Sequence, residues 1–420
     1  MNNPTSDHST AHSVLPRGAV WPFALLASCF LWWGVANNIT DPLVKVFKEI
    51  FGMSTFQASL IQMAFYGGYF CMALPGAAIA RRFNYKTGVL IGLGIYAAGC
   101  FLLYPAMLTA QFAFFCFAFY VLACGLGILE TSANPYVLAL GSPESATRRL
   151  NFAQSFNPVG SVAGIIICQV FIMARLPFND EGKLAMAPAE VPAALSTVIA
   201  PYLGIAAILV VVWLLILATK MPLAAEEDDK VPFAGAAARL LRNPFYLFAV
   251  FAQFCYVGLQ ITVWTYTNFY IPEQIGVSQE VALQYHTAAL VLFGLSRWVF
   301  TGLMNYIRAA TLLAIAALAG VLLSLVVVFV GGMAGVMALV CLSGCMSLMF
   351  PTIFGLGCSE VREDTKLASS GMIMAIIGGA LITPAQGALL DAFGVSLSFL
   401  LPLACYAVVL WFALAARRRA

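Results

Sequence analysis

FAFFCFAFYVLACGLGILETSANPYVLAL, residues Phe112–Leu140, decides how this chain folds. It runs for 29 residues with one charged side chain, Glu130. About 20 predominantly apolar residues suffice to cross the hydrocarbon core of a bilayer as a helix. A carboxylate at the centre of such a helix costs a few kcal/mol, and residues of this kind line pathways or water-filled cavities. The stretch therefore predicts a membrane span with a functional acid in it.

Similar stretches recur along all 420 residues. We place them at 20–40, 56–80, 87–108, 110–140, 151–173, 197–219, 244–271, 282–305, 309–331, 333–357, 367–391 and 394–416. The expected fold is thus an all-α membrane protein of twelve transmembrane helices. Hydrophobic residues make up 62% of the chain and charged residues 9%, far below the roughly 25% charged of soluble domains. Net charge is +3 with no basic stripe, so no nucleic-acid partner is expected. The bilayer is.

Sixteen of the 21 Lys and Arg residues, among them Arg81, Arg82, Arg148, Arg149 and Arg417–Arg419, fall on one side if both termini share it. That asymmetry predicts cytoplasmic termini, and the expected location is a cell inner membrane. Residues 1–19 read as a polar, disordered cytoplasmic tail. The longest loop on that side, 221–243, carries EEDDK (Glu226–Lys230) and reads as a solvated linker between two halves, 20–220 and 244–420.

An internal repeat supports the division. PYVLALGSPE (Pro135–Glu144) aligns without gaps with PTIFGLGCSE (Pro351–Glu360) at an offset of 216. Spans four and ten are then equivalent, and Glu130 maps to Met346. A scaffold keeps what it needs in both copies, so an acid present in one copy points to function. Two pseudo-symmetric six-helix halves describe a transporter with its substrate near the midplane.

Of 18 acids, three lie within or at the edge of spans: Asp41, Glu130 and Asp391. Asp391 reads as interfacial. Asp41 precedes Pro42, and a residue before proline avoids the helical region, so a break or bend is expected there. Low dielectric disfavours the charged form of an isolated carboxylate, so such a group can collect a proton on one side and release it on the other. Arg297, inside span eight, could pair with an acid across the halves or snorkel to the interface.

Amides gather around the acids: Asn37 and Asn38 in span one, Asn134 in span four, Asn151, Gln154 and Asn157 in span five. Gln154 and Asn157 share a helix face, and Gln260, Trp264 and Asn268 step by four along span seven. Carboxylates, amides and aromatic rings suit a sugar, whose hydroxyls meet the polar groups while a ring covers its C–H face. The competing reading is helix–helix bonding by amides. Gly160, Gly164, Gly378 and Gly379 read as close helix contacts. No Walker A sequence, HExxH or Ser-His-Asp set occurs, so no ATP site, metal, cofactor or enzymatic activity is expected.

Several segments then resemble one family: WGVANNITDP (Trp33–Pro42), FQASLIQMAFYGGYF (Phe56–Phe70), GILETSANPY (Gly127–Tyr136), RLNFAQSFN (Arg149–Asn157), QFCYVGLQ (Gln253–Gln260) and FPTIFGLG (Phe350–Gly357). Together they are similar to the fucose:proton symporter family of the major facilitator superfamily. The resemblance implies inward monosaccharide:proton symport by alternating access, with L-fucose as the first expected substrate. Other hexoses or amino sugars, sodium coupling and an uncoupled facilitator are the alternatives. It implies that Asp41 and Glu130 are the proton-linked carboxylates and that Asn38, Gln154 and Asn157 are amides lining the cavity. Gln260 and Trp264 are expected to bind substrate from the second half, in a protein working as a monomer. The superfamily's loop between spans two and three survives only as GAAIARRFNYK (Gly76–Lys86), without its acid, which puts the usual gating contacts there in doubt.

Overall fold

The computed structural model describes residues 18–53, 55–177, 187–222 and 233–419. The N-terminal tail to residue 17, Lys183 and the EEDDK run lie outside the described residues, as does the side chain of Asp41. Among the described residues there are only helices and turns.

The first half contains spans one (Val20–Phe51), two (Thr55–Arg82), three (Tyr85–Thr109) and four (Phe112–Ala139). Span five is Ala146–Gln154 continued by Phe156–Ile167, and span six is Val191–Ala218. The second half contains spans seven (Pro244–Ile275), eight (Gln279–Leu303) and nine (Ala309–Phe329). Span ten is split into Gly332–Met346 and Met349–Ser359, and span eleven into Thr365–Met374 and Ile377–Phe393. Span twelve ends in Leu400–Arg419. Eleven of these are long and apolar enough to cross a membrane on their own. Span eight is long enough at 25 residues, but Gln284, His286 and Arg297 lower its apolar character.

The repeat extends beyond the matching decapeptides. Spans five and eleven each follow a three-residue 3-10 turn, Pro143–Ser145 and Arg362–Asp364. Each then breaks after 9 or 10 residues. Their helix starts are tied down differently. Arg149, fully buried, wraps the end of span four by donating to the carbonyls of Val137 (2.8 Å) and Leu138 (2.5 Å) and to Ser145 Oγ (2.8 Å). A cation at a helix C-terminus satisfies orphan carbonyls and opposes the macrodipole.

Two expectations are corrected here. Span one does not end at Asp41-Pro42 but continues as helix to Phe51, where Gly52 in a left-handed conformation stops it. The linker is not loop throughout: Phe233–Arg242 is helical, and Arg239 grips Asp364 with two bonds of 2.9 and 2.6 Å.

Contacts between the halves crowd toward the end of the bundle that carries the termini and most of the arginines, the basic end. There Asn151 Nδ2 donates to Thr352 Oγ1 (3.1 Å), Ser369 Oγ to the Thr131 carbonyl (2.9 Å) and Arg297 Nη1 to the Gln154 carbonyl (2.9 Å). Trp298 packs edge-on against Phe152 and Phe156. The bundle is closed at that end.

Candidate functional site

Glu130 lies nine residues before the last residue of span four, about 14 Å from the basic end at the helical rise. It is 2% exposed, and neither carboxylate oxygen has a hydrogen-bond partner among the described residues. Leaving a buried polar group unpaired costs about 1–3 kcal/mol and more for a charge, so this acid is held in a place that does not stabilise it.

Its surroundings follow from helical spacing. Asn134, four residues on, shares its face and accepts from Gln154 Nε2 at 2.7 Å, while Asn134 Nδ2 stays unpartnered. Three residues back, a Cβ on Gly127 would meet the Tyr69 backbone at 3.2 Å, so span two presses against this face because glycine permits it. Trp33 of span one donates to the Tyr69 hydroxyl, and Tyr69 is within electrostatic reach of Glu130. Sequence reasoning did not single out Trp33 or Tyr69. The signal was available in the Tyr66-Gly67-Gly68-Tyr69 run, where two glycines thin the helix between two tyrosine hydroxyls.

Asn38 and Asn157 are half-buried at the seam of spans one and five. Asn38 Nδ2 bonds the Gly34 carbonyl (3.0 Å) and Asn157 Nδ2 the Phe30 carbonyl (3.4 Å). Gly34, Gly160 and Gly164 bring the two backbones together: a Cβ on Gly160 would lie 1.9 Å from the Leu31 oxygen. Gln154 and Asn157 thus reach different neighbours, span four and span one, on either side of the turn at Ser155. Asn151 does not join them; its amide crosses to Thr352.

In the second half Gln260, Trp264 and Asn268 are all half-buried, as one face of span seven requires. Trp264 Nε1 donates to Ser343 Oγ (3.1 Å), and its ring meets Phe293 edge-on at 5.1 Å. The Arg297 guanidinium lies 4.7 Å from the Phe293 ring centre. Arg297 is 3% exposed and neither snorkels nor pairs with a carboxylate among the described residues. It spends its donors on the carbonyls of Ser347 and Gln154 instead. A contact chain therefore runs Trp264, Phe293, Arg297, Gln154, Asn134, with Glu130 one turn further.

The structure joins Gln154 to Asn134, one turn from Glu130, and sets Asn38 and Asn157 along the seam of spans one and five. It places Gln260 and Trp264 on the facing span seven. Gln253, fully buried on the same span with both side-chain polar atoms unpartnered, is a further polar group there. Among the described residues no cluster of His, Cys, Asp and Glu has metal-ligating geometry.

Comparison with known proteins identifies the family. The family model described as Major Facilitator Superfamily matches residues 23–376. The L-fucose-proton symporter of Haemophilus influenzae is 40% identical, covering 94% of this chain and 96% of its own. The Escherichia coli L-fucose-proton symporter is 38% identical (94% and 93%), and a glucose/galactose transporter of Brucella abortus 32% (93% of each). Among solved structures, the major facilitator transporter FucP in the outward conformation superposes with a TM-score of 0.87 at 38% identity, covering 94% of this chain and 99% of FucP. The proton:xylose symporter XylE, at 12% identity and a TM-score of 0.68, shares the fold. This chain belongs to the major facilitator superfamily, in its fucose:proton symporter family.

Proposed function

We propose that the protein imports a monosaccharide, first of all L-fucose, together with a proton, by alternating access across a cell inner membrane. The observation that carries the proposal is Glu130, a buried carboxylate with two unpartnered oxygens, adjoining the Asn134–Gln154 amide pair. Protonated, it is neutral and tolerable in that setting; ionised, it needs water or a partner. Sugar hydroxyls meet Asn38, Gln154 and Asn157 in the first half and Gln260 in the second, and Trp264 covers an apolar face. Asp41, one turn beyond Asn38 toward the end opposite the basic one, admits the proton. L-fucose comes before glucose or galactose because the fucose symporters are the more similar relatives, at 40% and 38% against 32% identity.

The basic end is cytoplasmic in this reading, as its Lys and Arg excess favours, so the closed basic end corresponds to an outward-facing monomer. The halves 20–220 and 244–420 rock about the site, joined by 221–243. One charge crossing ~100 mV supplies ~2.3 kcal/mol, and ~1.4 kcal/mol is tenfold, so one proton sustains roughly a fifty-fold sugar gradient per 100 mV.

A pH electrode in a weakly buffered vesicle suspension tests this. L-fucose should alkalinise the medium on addition, and glucose, galactose and N-acetylglucosamine less or not at all. Sugar entry with no alkalinisation would make the protein a facilitator or a sodium symporter.

A further inference from the structure

Three prolines stand inside spans at the seam between the halves: Pro135 in span four, Pro158 in span five and Pro351 in span ten. A proline has no N–H, so the carbonyl four residues earlier loses its helical partner. The carbonyls released are those of Thr131, Gln154 and Ser347. Each of them accepts from a side chain instead. Ser369 Oγ reaches Thr131 (2.9 Å), Arg297 Nη1 reaches Gln154 (2.9 Å) and Arg297 Nε reaches Ser347. Thr131 and Ser347 are repeat equivalents, 216 apart like Pro135 and Pro351.

Re-satisfying a freed carbonyl is a general need in membranes, and alone it would imply only packing. The choice of donors goes further. Two of the three bonds cross between the halves, and the third ties Arg297 to its own half so that its remaining arm points at the other. Pro75, Pro105, Pro201, Pro272 and Pro384 also stand inside spans. None of the cross-half bonds described above ends on the carbonyls those five release.

We propose that Pro135, Pro158 and Pro351 create the acceptors of a latch, closed by Arg297 and Ser369, that holds the basic end shut. Arg297 is a positioning residue: its planar fork donates from two nitrogens held in fixed geometry, Nε to a carbonyl of its own half and Nη1 to one of the other. A lysine's ammonium on its flexible stem does not reproduce that geometry. Opening the basic end requires both of these cross-half bonds to part along with the Asn151–Thr352 bond, and their strength contributes to setting the fraction of molecules open there. This rests on the alternating-access reading above.

Spin labels on bio-orthogonal side chains at Phe83 and Tyr306 report the separation of the halves at the basic end, and at Gln111 and Val330 at the opposite end, in the full protein in liposomes. Ser369→Ala and Pro158→Ala should each raise the basic-end-open population about threefold to tenfold, the equivalent of one hydrogen bond. Pro158→Ala acts by giving the Gln154 carbonyl a backbone N–H. Arg297→Lys should do the same, and in combination with Pro158→Ala its effect should fall well short of the product, because both act on one carbonyl. Unchanged populations in Ser369→Ala and Arg297→Lys, or full multiplicativity of the Arg297–Pro158 pair, would overturn the latch. A single distance that neither sugar nor any variant shifts would instead overturn alternating access.

Discussion

Gly160→Ala is a one-methyl test of how the first half holds its amides. The added Cβ would stand 1.9 Å from the Leu31 oxygen and 2.8 Å from the Leu31 carbonyl carbon, where ordinary contact begins near 3.4 Å. Those atoms are backbone and cannot swing aside, so spans one and five must separate locally by about 1.5 Å, the difference of the two distances. Overpacking costs about 1–3 kcal/mol, against about 1 kcal/mol gained by alanine over glycine in a helix, which leaves a net loss of about 0–2 kcal/mol, toward the upper end because the clashing atoms are backbone. Asn38 and Asn157 sit on opposite sides of this seam, so a sugar bridging them loses one contact or both. At about 1 kcal/mol per hydrogen bond, affinity should fall about fivefold to thirtyfold. Gly204→Ala is the control, since nothing lies within 4 Å of its Cβ; it should bind sugar normally and be as stable or slightly more so. Thermal unfolding in detergent and sugar binding by calorimetry give both numbers. Equal behaviour of the two variants would refute the seam as the device that sets the amide spacing.

Further outcomes follow from other residues. Trp264→Phe keeps a ring but strips fully buried Ser343 of its donor, so affinity should fall about fivefold, less than for Trp264→Ala. Arg149→Ala leaves the carbonyls of Val137 and Leu138 and the Ser145 hydroxyl without their cation; it should destabilise the protein by more than ~3 kcal/mol, read as loss of folded protein on mild heating. Asp41→Asn should impair net sugar uptake more than exchange of sugar already bound, measured with labelled sugar on both sides of a vesicle. Equal loss of both would reassign Asp41 to sugar binding.

The sequence made the spans legible because membrane helices are specified by length and apolarity, both local properties. Even span eight was readable despite its polar residues, since its neighbours fix its place in the alternation. The helical path through Asp41-Pro42 was not, because a proline's local bias does not reveal whether surrounding helices support the turn. Glu130 was legible as an anomaly in Phe112–Leu140. Its surroundings were not: span two, with Tyr69 bonded to Trp33, packs against this face at Gly127, which only tertiary packing shows. Arg297 was read as either an acid's partner or a snorkeller, and among the described residues it is neither. The signal for its role lay in plain view four residues before Pro158 and Pro351, as carbonyls that helix geometry leaves open.

The most direct measurement of the central claim is sugar accumulation by Glu130→Gln in proteoliposomes under an imposed proton gradient, beside exchange of labelled for unlabelled sugar in the same vesicles. Glutamine keeps the volume and a hydrogen-bonding tip but cannot release a proton. The account predicts that accumulation disappears while exchange persists. Proton-driven accumulation by the variant at the wild-type level would contradict it.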